Sequence, residues 1–299
     1  LLLMSVTLLM LICCPADDDD DATGDDDTTG DDDTTGDDDD DATGDDDDDS
    51  FVPEQIDGYV QIQFNEGPDN AGGIASMGLI WANFFEIVSD PVPGYTLNEP
   101  DGVDECAYTA YTHDELTAGD PGEYTYQSAG TLSVTGGGGA WQVESFDPGS
   151  GYIFYQWPLP YGSDLQFETT YNISLAGDTF PAFDAPGSIV MSDEFHLTSP
   201  TSADMVTLTG DVTVQWSGGG SGNSTLMVHA IDGLNYGDLI CNVANDGEFT
   251  IPASYTSQLP SGVNAELSLT RSVPTYTEVD GRWVETAAVL SLSADGITP

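Results

Sequence analysis

Chemistry in a protein needs a nucleophile with its base, a paired acid and base, or a metal held by spaced ligands. His113, His196 and His229 are the only histidines, and none is paired at ligand spacing. No nucleophile-elbow, zinc-helix, phosphate-loop or dinucleotide motif accompanies them. Gly136–Gly139 lie between strand-like runs and lead into Trp141 with no Lys and no helix start, so they read as a hairpin loop and not a phosphate cradle. Carboxylate pairs such as Asp104 with Glu105, or Glu144 with Asp147, have the groups that glycoside hydrolysis uses. A chain with 54 Asp and Glu produces such pairs by chance, and the reading is non-enzymatic.

Calcium is the chemistry these residues suit better. Glu99-Pro100-Asp101-Gly102-Val103-Asp104-Glu105 places the carboxylates of Asp101, Asp104 and Glu105 in a loop with a Gly bend, an oxygen-rich arrangement that a hard cation favours. The bland alternative is an exposed acidic loop. Asn65–Asn70 is a weaker turn of the same kind, and His113-Asp114-Glu115 reads as a solvated polar loop. Tyr152, Tyr155 and Trp157, with Tyr161 after them, cluster around one strand and its Pro-rich loop. Stacked on an exposed face they would form a sugar-binding platform, and core packing is the alternative use of the same rings. His229 is expected at the rim of a strand over Leu226–Ala230.

The composition constrains the partners. The chain has 299 residues, two Arg, no Lys and a formal net charge of −52. Nucleic acid and anionic membrane surfaces need basic side chains, so both are poor partners for direct binding. Twenty-one of the acids fall in Asp17–Asp49, which leaves 33 acids and both Arg, a net −31, in Ser50–Pro299. That charge favours solubility and cation binding over self-association, and it suits a saline or calcium-containing exterior. Arg271 and Arg282 are each expected to have acidic neighbours.

Residues 1–14 read LLLMSVTLLMLICC, an uncharged apolar run of signal-core length that is short for a membrane span. A basic segment is expected upstream of it. Residues 15–50 hold a repeat, DDDDDATG, DDDTTG twice, DDDDDATG again and a closing run of five Asp. With no apolar periodicity to offset chain entropy, this stretch is expected to be a disordered, charge-extended tether. Its 33 residues from Asp17 to Asp49 would reach about 110 Å if fully stretched.

The stop at Leu11-Ile12-Cys13-Cys14-Pro15 resembles a bacterial lipobox, which implies lipidation of Cys14, with Cys13 as the alternative. Acyl chains would hold at a membrane a chain whose charge otherwise keeps it away. A cleaved signal peptide is the competing reading.

From Phe51 onward the pattern is all-β: short alternating runs separated by Gly, Pro, Asn and Asp clusters. Val60, Ile62 and Phe64 point one way, as do Val212, Val214 and Trp216. Ala75–Val88 reads as a buried strand pair or a short helix. Asn245-Asp246-Gly247 predicts a hairpin of Leu239–Val243 with Phe249–Ile251, and Pro252 predicts a helical turn. About seven strands in the last hundred residues match an immunoglobulin-like sandwich in count, without its Cys, Trp, Cys core. The expected architecture is two tandem β-sandwich domains, residues 51–198 and 199–299, divided near Ser199-Pro200-Thr201. Cys106 and Cys241 then fall in different domains, and they form a bridge if those regions touch or stay as buried thiols if they do not.

An acidic tether followed by tandem β-domains resembles surface lipoproteins of Gram-negative bacteria. The resemblance implies a lipid-anchored protein at the outer membrane and cell surface that displays its β-domains to an extracellular ligand, glycan or protein, or supports the envelope. The other expectation is a secreted carbohydrate-binding or calcium-dependent adhesive module.

Overall fold

A computed structural model describes residues 52–69 and 71–298. The lipobox-like segment and the Asp repeats lie outside the described residues. The first half carries strands β1 (Gly58–Pro68), β2 (Ile74–Ser89) and β3 (Glu105–Thr112), helix α1 (His113–Ala118), then β4 (Glu123–Tyr126), β5 (Leu132–Gly136), β6 (Gly139–Val143), β7 (Tyr155–Leu159) and β8 (Thr169–Leu175). The second half carries β9 (Phe183–Met191), β10 (His196–Ser199), β11 (Met205–Thr207), β12 (Val212–Ser217), β13 (Asn223–Asp232), β14 (Asn235–Ala244) and β15 (Glu248–Ile251). Helix α2 (Ala253–Thr256) and the long strands β16 (Asn264–Val279) and β17 (Arg282–Ile297) complete it. The class is all-β, as the alternation implies. No helix among the described residues is long and apolar enough to cross a membrane.

The strands of the described residues form three sheets. Ten make one sheet in the order β3-β14-β13-β16-β17-β1-β2-β4, with β11 also on β17 and β7 also on β2. The others are β6-β5-β8-β9 and β10-β12-β15. Alternation explains the layering: Val60, Ile62 and Phe64 on β1, Ile80, Ala82 and Phe84 on β2, and Val284, Ala288 and Leu290 on β17 are all buried. They share one core cluster with Leu132 and Val134 of β5, Tyr171 and Ile173 of β8 and Ile189 of β9. A period of two puts one whole face of each strand inside.

Three expectations need correction. The division at Ser199–Thr201 does not hold, because Gln55–Pro299 is one compact unit. Strands β1, β2 and β3 sit in the same sheet as β13, β14, β16 and β17, and β1 pairs in parallel with β17 from Gly58↔Val284 to Glu66↔Leu292. Seven strands, β11 to β17, do follow Ser199: β12 and β15 lie in one sheet, and β11, β13, β14, β16 and β17 lie in the large sheet that they share with strands from before Ser199. A parallel pairing between the first and last strands leaves no local turn signal, which is why composition cannot reveal it.

The predicted hairpin across Asn245–Gly247 is also replaced. Strand β14 pairs with β13 and β3, whereas β15 pairs with β12, so these residues carry the chain from one sheet to another. Asn245 fixes that crossing: its Oδ1 accepts from Trp216 Nε1 at 2.6 Å and its Nδ2 donates to the Gly218 carbonyl at 3.1 Å. The hairpin partner of β14 is β13, joined through Gly233 at φ 61° and Leu234.

Ala75–Val88 is part of one 16-residue strand, β2. His113-Asp114-Glu115, expected as a loop, opens α1, with Thr112 and Glu115 forming a reciprocal capping box. The expected loop at Gly136–Gly139 does join the β5–β6 hairpin, and the turn after Pro252 is α2.

Candidate binding surfaces

The acidic loop is drawn together without forming an ion cage. Glu99, Asp101, Asp104 and Glu105 line a hollow of about 340 Å³ with Pro252 and Tyr255. Asp104, at φ 61°, is already committed: its backbone N–H donates to the Asn242 carbonyl at 2.6 Å and its Oδ1 accepts from Ala244 N at 3.0 Å. Among the described residues no three carboxylate, imidazole or thiolate groups converge at ion-holding spacing. Asp104 therefore ties the loop to β14.

The three aromatics separate. Tyr155 is fully buried, and its hydroxyl accepts from Ala129 N at 2.8 Å and donates to the Gly130 carbonyl at 2.9 Å. It belongs to the core, as an inward position of β7 opposite Ala82. Trp157 is 45% exposed on the same strand. Tyr152 is half-buried in a run of touching rings: its ring lies 4.5 Å from Tyr126, edge-on, and 5.4 Å from Phe154, which stacks on Trp81 at 5.2 Å. No platform unites the predicted three.

A different aromatic site lies at the other end of the large sheet. Tyr111 of β3 is stacked between Tyr95, centroid distance 4.1 Å, and Tyr236 of β14, 5.1 Å, with interplanar angles of 13° and 5°. His229 of β13 continues the row on Tyr236 at 6.1 Å. Beside the row, Tyr108, Tyr111, Tyr236, Glu115, Asn235 and Gln258 line a cleft of about 340 Å³. The cross-strand register makes this assembly, since Tyr111 faces Tyr236 in the ladder that sets Cys106 opposite Cys241. Those two cysteines are joined in a disulfide. The bridge that was conditional on contact is therefore formed, within one sheet.

Beneath the cleft lies a hydrogen-bonded relay. The buried Asp238 accepts from Tyr111 Oη at 2.8 Å and is bonded to His229 Nδ1. Burial and then the Asp238 carboxylate push the Tyr111 phenol well above its ordinary value, so it stays a donor. The same carboxylate, by its hydrogen bond, raises the His229 imidazole against the opposing effect of burial. His229 is half-buried, the rim position its strand pattern implies.

The other two histidines are also engaged, His113 Nδ1 lying 3.5 Å from the Tyr236 hydroxyl. His196 Nδ1 is 2.7 Å from Glu66 Oε2, and Glu66 Oε1 accepts from the buried Ser202 hydroxyl at 3.1 Å. The serine donates to the carboxylate and not to the imidazole, which is not how a Ser–His nucleophile is built. Arg271 has an acidic neighbour as expected, Asp193, which acts on it by charge, whereas Arg282 Nη1 donates to Gln127 Oε1 and its guanidinium lies 5.4 Å from the Phe180 ring. Arg271 Nη2 donates to the Ser221 carbonyl.

The cleft can hold a small polar ligand. It is lined by the Tyr108 hydroxyl, the Tyr236 hydroxyl 3.5 Å from His113 Nδ1, the edges of stacked rings, and Asn235 and Gln258, whose amide nitrogens donate to the Asp232 and Ser254 carbonyls, a mixture of polar and apolar surface of the kind a polyol uses. The sequence reading missed it because Tyr111 and Tyr236 are 125 residues apart. The available signal was arithmetic: if Cys106 opposes Cys241 in an antiparallel pair, Tyr111 must oppose Tyr236. A scan of protein-family models and a search of curated proteins give no match for this chain.

Proposed function

We propose that this chain is a non-enzymatic, lipid-anchored protein of the outer membrane and cell surface, whose β unit is held off the membrane for extracellular binding or envelope structure. The observation that carries this reading is the order Leu11-Ile12-Cys13-Cys14-Pro15 followed at once by Asp repeats and then a folded β unit. Lipid supplies the membrane affinity that a net −52 chain lacks, and the repeats supply distance. The test is the intact mass of the membrane fraction after expression behind a signal-peptide n-region. Wild type should carry acyl mass that Cys14→Ser loses and Cys13→Ser keeps. An unmodified, cleaved and soluble wild-type chain would overturn the anchor.

A second reading, a secreted carbohydrate-binding or calcium-dependent adhesive module, is favoured by the tyrosine-lined cleft. A neutral glycan suits it better than an acidic one, because the folded segment carries 33 acids against two Arg. A glycan array with wild type and Tyr236→Ala, with and without calcium, tests it. Saturable binding lost in the variant supports the module, and equal signals from both chains reject the cleft as the ligand site.

A further inference from the structure

Arg271 is the one basic residue among the described residues that is at least nine-tenths buried, 7% exposed on the inward face of β16. A buried guanidinium needs its donors filled, because an unpartnered buried charge is far more costly than an exposed one. Among the described residues Nη2 alone has an acceptor, the Ser221 carbonyl. Nε and Nη1 are buried with no hydrogen-bond partner among the described residues. Asp193 acts on the guanidinium by charge but makes no hydrogen bond with it among the described residues.

Two further orphan groups belong to the same neighbourhood. The hydroxyls of Ser192 and Ser224 are buried without partners among the described residues. Ser224 and Arg271 are each one residue beyond the last ladder pair of β13 and β16, Thr225↔Thr270, and both point inward. Ser192 arrives from the end of β9. A Cβ at Gly220 would sit 3.1 Å from Ser192 Cβ, 3.7 Å from Asp193 Oδ1 and 3.8 Å from Arg271 Nη2, so the carboxylate lies on the Nη2 side of the guanidinium. One at Gly222 would sit 3.4 Å from that Nη2. Gly218, Gly219, Gly220 and Gly222 all have positive φ, so the loop over the guanidinium takes a path that side chains resist.

The unfilled set is the Nε–H, both Nη1–H and two rotatable hydroxyls, with the exposed Asp193 carboxylate near the charge but bonded to none of them. We infer that Arg271, Ser192 and Ser224 form a buried site for a halide-sized monovalent anion, closed by the glycine loop 218–222. A chloride there completes the hydrogen bonding of Arg271 and ties β13, β16, the end of β9 and the loop together. The surrounding negative field works against anion entry, and salt screens that field over about 10 Å at 0.1 M. Occupancy therefore rises with background ionic strength at fixed chloride.

The test uses the full chain in sodium chloride, sodium bromide and sodium gluconate at equal sodium and equal ionic strength, so that general screening cancels. At ten times its dissociation constant a bound halide should raise the melting temperature by about 3–5 °C over gluconate for a unit of this size. Arg271→Met should remove that increment, and Ser192→Ala should reduce it. Bromide-soaked crystals of wild type should show an anomalous peak within hydrogen-bonding distance of Arg271 Nε or Nη1, a readout that stands even if Arg271→Met fails to fold. Equal melting in all three salts, an increment that survives in Arg271→Met, or water in place of an anomalous scatterer at Arg271 would overturn the site.

Discussion

Breaking the Cys106–Cys241 bond should lower the melting temperature by about 10 °C, a value that follows from chain length alone. The bond spans 135 residues. Loop-closure entropy for a span of that size is about 17 cal/mol/K, or about 5 kcal/mol at 25 °C. A unit of about 245 residues, Gln55–Pro299, unfolds with an entropy of about 0.5 kcal/mol/K at its midpoint, so 5 kcal/mol converts to about 10 °C. The effect acts on the unfolded chain, and the native ladder from Asn235↔Thr112 to Asn242↔Glu105 should keep its pairing once the bond is broken.

Calorimetry of the chain before and after reduction reads the shift, and Cys106→Ala with Cys241→Ala reads it again without reductant. Peptide mapping after alkylation in denaturant confirms that the two cysteines were joined. With the bond confirmed, a shift under about 3 °C would refute the reasoning, because it would mean that the unfolded chain is already restrained by other contacts and has little loop entropy to lose. A mapping experiment that finds both thiols free refutes the pairing itself.

Three other outcomes follow from the same geometry. Tyr155→Phe leaves Ala129 N–H and the Gly130 carbonyl without their buried partner and should cost about 1–3 kcal/mol in urea denaturation. Burial raises the Glu285 carboxyl, so the folded state holds that proton more tightly than the unfolded state. Wild type should lose stability relative to Glu285→Gln as pH rises from the ordinary glutamate value through the raised one, and urea melts of the two should agree in acid below both. For His229 the raised value comes from its bond to Asp238, so its contribution is complete below about pH 6.5 and lost as pH climbs through the folded value. The stability gap between wild type and His229→Gln should shrink over that range, and a constant gap from pH 5 to 9 would reject the linkage.

Much of this molecule is visible in single strands and little of it in their assembly. Val60, Ile62 and Phe64, or Val212, Val214 and Trp216, announce their inward face through a period of two, and each is buried as expected. Asn245–Gly247 has equally clear turn chemistry, yet turn chemistry states that the chain bends and not which strands meet afterwards. There the side chain of Asn245 bonds to Trp216 on β12 and sends the next strand to another sheet. The Asp232-Gly233 turn, which does join a hairpin, had the same kind of signal in fewer residues. Long-range register decided the candidate site as well. Tyr152, Tyr155 and Trp157 are close in sequence and divide between surface and core, while Tyr95, Tyr111 and Tyr236 are far apart in sequence and stack.

The charge of the folded unit has a structural reason to remain uncompensated. Its two arginines hydrogen-bond to neutral oxygens, Arg271 to the Ser221 carbonyl and Arg282 to Gln127, and two positive charges cannot offset 33 carboxylates. Their mutual repulsion acts against the compact state and is screened by any electrolyte. Added salt should therefore stabilise the unit generally, and a divalent ion should do so at lower concentration. The Asp101, Asp104 and Glu105 hollow separates this general effect from a specific one. With Asp104 Oδ1 already accepting from Ala244 N, the loop as built cannot give calcium three convergent carboxylates. Calcium and magnesium should then raise the melting temperature alike, since condensation onto a diffuse field depends on charge, whereas a coordination cage distinguishes the two ions by size and ligand number. A clear excess for calcium that disappears in Asp101→Asn would mean that the loop rearranges around the ion, and the adhesive reading would then gain the site that this geometry does not supply.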